Sequence, residues 1–308
     1  CAFCIVPSVR GSEISRPYAD IVSEVRTLAD QGVTEVTLLG QNVNSYGRDL
    51  QLDKRRAGED VSARPLFSEL LREVGAVPGI KRVRFTSPHP KDMRPETFAV
   101  MAEVPTICEH LHYPLQSGSD RILAIMHRGY NAERYLEKLH QARLLIPDLA
   151  ISTDIIVGFP GETEEDFVRT LEVSAEADYD YAYTFMFSPR EGTEAATMVD
   201  KFVDPAVVAD RFARLRVVVE HSAVIRHEAR IGRIEDVLIE GPSRRNPEVY
   251  QARTRQNKVV HFRPTQAIRA GSYGLVEITE AAPHHLRGIL REVTADPSHK
   301  VRIPVASM

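Results

Sequence analysis

The chain has 308 residues, 43% hydrophobic and 27% charged, which places it among folded globular proteins with room for one large and one small domain. A formal net charge of −4 excludes a globally basic nucleic-acid binder but not a local basic patch, and three cysteines exclude a disulfide scaffold and fit a reducing compartment. No apolar run approaches a membrane span and no charged-then-apolar leader opens the chain, so a cytoplasmic protein without a membrane partner is expected; the start at Cys1 rather than Met is expected of a fragment or processed product.

Pro17 opens a helix that carries Ile21, Val25 and Leu28 on one face, and Gly32 suits its exit. TEVTLL at 34–39 reads as a strand that ends in Gly40-Gln41-Asn42. Residues 45–64 read as a polar surface insertion. A helix near 65–76 leads to a strand at 81–86, closed by Ser87-Pro88-His89-Pro90. A helix at 93–102 precedes a strand near 109–114 and the turn Gln116-Ser117-Gly118-Ser119. Helical stretches follow at 119–127 and 131–145. AISTDIIV at 150–157 is the most strand-like segment and runs into Gly158-Phe159-Pro160-Gly161-Glu162. Thr163-Glu164-Glu165-Asp166 then reads as a capping box, and 181–187 as a last strand.

Five strands alternate with helices, and the Ile/Val-rich strand at 150–157 reads as buried on both faces. That pattern predicts a parallel sheet with crossover helices, with sites built on the turns after the strands. After 190 the pattern changes. Asp204-Pro205 starts a long helix, with Val208, Phe212, Leu215 and Val219 at 4-3-4 spacing. Beyond Ile231, short alternating runs at 235–240, 248–255, 258–262 and 272–279 predict a small β-barrel.

Cys1 and Cys4 form a CxxC within CAFCIVPSVRG. Two thiolates at this spacing on a loop can grip an iron or zinc centre; half a zinc site, a redox pair and two ordinary thiols remain alternatives. No second CxxC and no finger-like His pair accompanies it. Cys108 stands alone beside a predicted strand and reads as a buried, inert thiol.

The ordered motifs IVPSVRGSEISRP, LLGQNVNSYG, RFTSPHP, LQSGSDRIL, STDIIVGFPGETEEDF and SPREGT resemble the radical S-adenosylmethionine (SAM) methylthiotransferases, from Cys1 to about Glu292. GQNVNSYG resembles the tRNA-modifying branch. The resemblance implies a partial (βα)6 barrel lacking its first strand, followed by a TRAM barrel. The expected division is a truncated core at 1–200, a linker helix at 201–230, the TRAM domain at 231–292 and a tail at 293–308.

The family's cluster motif is CxxxCxxC. Cys1 and Cys4 match its second and third cysteines as metal ligands of a [4Fe-4S] cluster, and the first has no counterpart here. A second [4Fe-4S] cluster is expected in an absent N-terminal domain, so this fragment alone is expected to be inactive. The implied activity is radical SAM-dependent 2-methylthiolation of N6-isopentenyladenosine at position 37, next to the anticodon, with a low-potential electron donor such as flavodoxin or ferredoxin. A sister enzyme with another substrate, or a TRAM-type RNA-binding protein with an incomplete catalytic half, are the rival expectations. The resemblance implies cofactor-binding roles for Phe3, Gly40, Gln41, Gln116, Ser117, Asp154 and Gly158; the residues that do the chemistry are not assigned.

Residues 244–269 carry seven Arg/Lys against one Glu, whereas 162–180 carry eight acids against one Arg. Basic character therefore concentrates in the small domain, with Tyr250, His261 and Phe262 interleaved. Arg244, Arg245, Arg253, Arg255, Lys258 and Arg263 are the expected contacts for an anticodon stem-loop, through phosphate attraction and base stacking. GPSRRNPEVYQARTRQNKVVHF and the later VEITEAAPHHLRG resemble the TRAM domain of RNA-modifying enzymes.

Overall fold

The computed structural model describes residues 2–11 and 13–297; Cys1 lies outside the described residues. A short helix α1 (Val6–Arg10) precedes α2 (Tyr18–Asp30), β1 (Glu35–Leu38), α3 (Arg48–Arg56), α4 (Phe67–Gly75), β2 (Arg82–Phe85) and α5 (Pro95–Glu103). Then come β3 (His110–His112), α6 (Asp120–Ile125), α7 (Ala132–Leu145), β4 (Ala150–Val157), α8 (Glu164–Ala177), β5 (Tyr181–Met186) and the long α9 (Pro205–Glu228).

The first five strands are parallel. β1 pairs with β2, β3 with β4 and β4 with β5, and a Val83–Ile107 bridge links the two groups into one open arc in chain order. This is the expected partial barrel with five strands. One face of the arc is apolar: Val83, Phe85, Leu111, Ile151, Ile155 and Val157 join Leu70, Val74, Leu139 and Phe167 from the helices in the main core. The other face is the barrel interior, and strand alternation assigns it Glu35, Arg82, Arg84, His110, His112, Ser152, Asp154, Tyr181, Tyr183 and Phe185.

The capping box before α8 forms as expected: the Thr163 hydroxyl accepts from the Asp166 N–H, and Asp166 accepts from the Thr163 N–H. Two elements depart from expectation. The insertion at 45–64 contains α3, a helix with no buried residue, favoured by Asp49 in its first turn and Lys54, Arg55 and Arg56 in its last. The helix at 205–228, which connects the two barrels, also packs on the large one, with Leu215 and Val219 in the main core against β5.

The small domain is a closed five-stranded barrel of β6 (Ile234–Pro242), β7 (Tyr250–Thr254), β8 (Val259–Phe262), β9 (Tyr273–Ala282) and β10 (His285–Ala295), ordered β10-β8-β7-β6-β9. Its core is Val237, Ile239, Ala252, Val260, Phe262, Val276, Ile278 and Leu286. The fifth strand runs past residue 292, so the barrel takes in part of the expected tail.

The β7–β8 hairpin plugs the N-terminal end of the large barrel. Arg82 is 1% exposed and donates to the carbonyls of Arg253 and Asp236; Arg84 donates to those of Thr254 and Arg255. Lys258 Nζ meets Asp180 Oδ1 at 2.6 Å. A chamber of about 280 Å³ remains beneath the plug, lined by His110, Ser152, Tyr181, His227, Gln256 and His284 among others.

Candidate functional site

The turns after β1, β3 and β4 converge at the C-terminal edge of the arc, where doubly wound and barrel folds build sites. The N-terminal loop is pinned to the same edge. Ala2 N–H donates to the Met126 carbonyl at 3.3 Å, and the Ala195 N–H donates to the Ala2 carbonyl at 2.9 Å. Phe3 packs edge-on against Phe159, ring centroids 6.3 Å apart, beside the half-buried free thiol of Cys4. Phe3 and Cys4 therefore share a corner with the turn that carries Gly158.

Gly40 and Gln41 line a cavity of about 410 Å³ with Glu13, Asn42, Tyr46, Asp49 and Asp92. Asp92 accepts from Asn42 Nδ2 at 2.8 Å and Ser45 Oγ at 2.9 Å. Glu13 is raised above the usual carboxylate range by burial and by the nearby Asp92 and Asp49. Three carboxylates against one cation, Arg48, leave the cavity acidic in balance, which suits a cationic guest such as an ammonium group.

Gln116 sits at φ +67, between β3 and β4: its N–H donates to the Asp154 carbonyl and its carbonyl accepts from the Ile156 N–H. Asp154 faces the interior as expected and belongs to a hydrogen-bonded line that motif reading did not find. His112 Nε2 lies 3.2 Å from Asp154 Oδ2, His112 Nδ1 lies 3.0 Å from Ser152 Oγ, and His110 Nε2 lies 3.1 Å from the same hydroxyl. A carboxylate only accepts, so the His112 proton sits on Nε2; Ser152 then donates to His112 and accepts from His110. Burial pushes His110 down to about 3, so it is neutral. The signal in the sequence was HLH beside STD, polar residues at every second position of two buried strands.

Ser117 departs from the expected cavity contact. Its fully buried hydroxyl lies 3.3 Å from Thr170 Oγ1 and accepts from the Ser119 N–H, which turns it toward α8. At Gly158, with φ +74, an added Cβ meets Val208 Cγ2 at 2.4 Å, so this glycine admits the approach of α9.

In the small domain Arg244, Arg245 and Arg263 are exposed, near a groove of about 650 Å³ lined by Asn246, His261, Arg263, His285, Arg287 and Ile289 among others. The remaining expected RNA contacts are engaged within the chain. Lys258 is buried against Asp180; Arg255 holds Glu109 at 2.7 Å and the carbonyls of Pro105 and Ile107; Arg253 pairs with Glu240 and Asn257. Phe262 lies in the barrel core beneath the groove, and the rings that meet edge-on along it are His261 and His285, with centroids 5.1 Å apart.

The Radical SAM superfamily profile matches residues 1–173 and the TRAM domain profile matches residues 228–290. The chain belongs to the radical SAM superfamily. Curated relatives named tRNA-2-methylthio-N(6)-dimethylallyladenosine synthase include that of Acidothermus cellulolyticus, 50% identical over 289 residues, which cover 93% of this chain and 56% of the relative. That of Mycobacteroides abscessus is 48% identical over 296 residues, covering 93% and 57%. The chain thus spans a little over half the length of these relatives. Among solved structures, coproporphyrinogen III oxidase of Escherichia coli has a TM-score of 0.43 at 13% identity, over 77% of this chain and 70% of that one.

Superfamily membership implies SAM and a [4Fe-4S] cluster. The acidic cavity around Gly40 and Gln41 fits the ammonium end of SAM. The cluster is a different case. The described residues offer Cys4 at this corner, and among them no group of three His, Cys, Asp or Glu side chains can hold a metal ion. They do not complete a cluster cradle, so no step is routed through one. Among the described residues no helix is long and apolar enough to cross a membrane.

Proposed function

We propose that this chain is the SAM-binding and RNA-binding part of a tRNA methylthiotransferase that converts N6-dimethylallyladenosine beside the anticodon to its 2-methylthio form. The observation that carries this reading is the 50% identity that runs through both barrels to a relative named for that product. In this reading the longer polypeptide supplies the remaining cluster ligand and a second [4Fe-4S] cluster. A low-potential donor such as flavodoxin or ferredoxin delivers electrons, and the enzyme works in the cytoplasm.

A cluster completed by the longer polypeptide would, with SAM, supply the radical chemistry; the chain's own residues would bind and orient the ligands. Glu13 and Asp92 receive the SAM ammonium beside Gly40 and Gln41. Cys4 would serve as a cluster ligand, with Cys1 as its neighbour in the CxxC. Phe3 stacks at the adenine, and Gln116 and Asp154 bond its ribose, with Asp154 aimed by His112. Gly158 keeps that wall closed by admitting α9. Ser117 serves the packing of α8 in place of a ligand contact. Arg244, Arg245 and Arg263 hold tRNA phosphates around the His261 groove, while Arg255 and Lys258 tie the small barrel to the large one and Arg253 braces the hairpin inside the small barrel, which orients the RNA toward the large barrel.

The test is nucleoside analysis of tRNA from a strain that lacks this modification, carrying the complete natural gene. Appearance of 2-methylthio-N6-dimethylallyladenosine is the expected result. Accumulation of N6-dimethylallyladenosine with no methylthio product overturns the reading.

A further inference from the structure

The barrel interior is polar along four of its five strands: Glu35, Arg82, Arg84, His110, His112, Ser152 and Asp154 all face it. β5 is the exception. Its interior row is Tyr181, Tyr183 and Phe185, in register with Ser152, Asp154 and Ile156 of β4. The row rises from the chamber under the plug to the C-terminal edge. Tyr181 is half-buried and stacks edge-on with Tyr183 and with His284. Tyr183 packs edge-on against His112, with centroids 6.0 Å apart, which places it level with Asp154. Above it Phe185 is 50% exposed and Tyr183 47%. Two adjacent aromatic rings left open beside Asp154 and Ile156 of β4 are a liability in water and an asset to an apolar guest.

The proposed substrate has one apolar part. Adenosine and phosphate are polar or flat, whereas the N6 dimethylallyl group is a branched five-carbon alkene. We propose that Tyr183 and Phe185 form the wall that receives this dimethylallyl group and so select prenylated over unprenylated adenosine. The inference rests on the proposed substrate. About 6.6 Å of strand separates the two side chains, enough for a group of that length to lie across both rings. In the same layer the hydrogen-bonded pair Asp154 and His112 stands beside the Tyr183 ring, so polar and apolar groups lie side by side. A pocket that covers a few methyl and methylene groups discriminates by roughly 10- to 200-fold.

The test measures equilibrium binding of two anticodon stem-loops, one with N6-dimethylallyladenosine and one with adenosine, to the complete reconstituted enzyme without reductant. The unaltered protein is expected to prefer the prenylated RNA by roughly tenfold or more. Phe185→Ser is expected to cut that preference to less than threefold, and Phe185→Leu to restore most of it. Circular dichroism and the thermal midpoint establish that each variant is folded. Should Phe185→Ser misfold, Tyr183→Ser is read the same way. A preference that persists in the folded Ser variant overturns the wall, as does a lower midpoint with unchanged preference, which assigns the rings to a protein segment that covers them. Turnover with reductant separates the apolar wall from the catalytic function. Methylthio product from the prenylated stem-loop with an unaltered preference in Phe185→Ser sinks only the wall, and no methylthio product from the unaltered enzyme sinks the function itself.

Discussion

Lys258, at the tip of the small barrel's plugging hairpin, places Nζ 2.6 Å from Oδ1 of Asp180, the residue just before β5. Their side chains are 3% and 9% exposed. The second carboxylate oxygen of Asp180 accepts from the Ile151 N–H at 2.9 Å. Burial alone would raise Asp180; the Lys258 charge, its hydrogen bond and that N–H outweigh burial and hold the carboxyl below its ordinary range. One ion pair therefore ties the last strand of the large barrel to the hairpin that seals it.

Removing one partner leaves the other charge buried and alone. Lys258→Ala or Asp180→Asn is expected to cost about 3–5 kcal/mol in urea unfolding, while a Lys258→Met/Asp180→Leu double replacement is expected to recover most of that loss. A double variant as unstable as the sum of the singles would refute a direct pair.

RNA binding is expected to separate from this interface. Arg244→Ala and Arg245→Ala should each weaken binding of an anticodon stem-loop and reduce the slope of log affinity against log salt by about one, read between about 50 and 200 mM. Arg255→Ala should lower stability through lost contacts to Glu109 and leave the salt slope unchanged. A drop in slope for Arg255→Ala would place that residue on the RNA instead.

These two groups of cations could not be told apart along the sequence. Local charge density marks 244–269 as basic, but Asp180 lies 78 residues from Lys258 and Glu109 lies 146 from Arg255. Only the fold brings such partners together. By contrast, β4 was legible to the residue because AISTDIIV is β-branched and bounded by a glycine turn, and the α8 start was legible because a capping box is local. The helix α3 escaped because it buries nothing and so has no apolar period. β10 escaped because register shifts after Arg287, Leu290 and Val293 break its alternation, with Leu286 as its one fully buried side chain. At the site, motif resemblance located the turns. It misplaced Ser117, whose orientation depends on packing against Thr170 of α8.

His227 gives the fold an acid-sensitive joint. It is buried on α9 at the inter-barrel chamber, with Nδ1 2.7 Å from the Ala223 carbonyl and with Lys258, Asp180 and His284 as its charged or titratable neighbours. Burial, helped by the Lys258 charge, pushes it down to about 4. The unfolded chain then binds the proton at higher pH than the folded one, so stability is fully present above about pH 6.5 and falls as pH drops toward 4. His227→Gln is expected to flatten that part of the stability–pH curve by about 2–3 kcal/mol, since one unit is worth about 1.4 kcal/mol. Unfolding curves at pH 7, 6, 5 and 4 check it, and equal slopes for the two proteins would contradict the assignment.

Gly158 tests whether the turn after β4 is shaped by α9. Two separate costs meet there: φ of +74, which disfavours any side chain, and Val208 Cγ2 at 2.4 Å from a built Cβ. Gly158→Ala is expected to destabilise by about 2–4 kcal/mol, of which about 1 is backbone strain and the rest overpacking. Val208→Ala empties the contested space and alone costs about 1–3 kcal/mol. The double variant should therefore be more stable than the sum of the two losses by at least about 1 kcal/mol, with the strain of the positive φ still unrelieved. Additive losses would mean that the contact with α9 does not set the requirement for glycine and that the constraint lies on the open side of the turn.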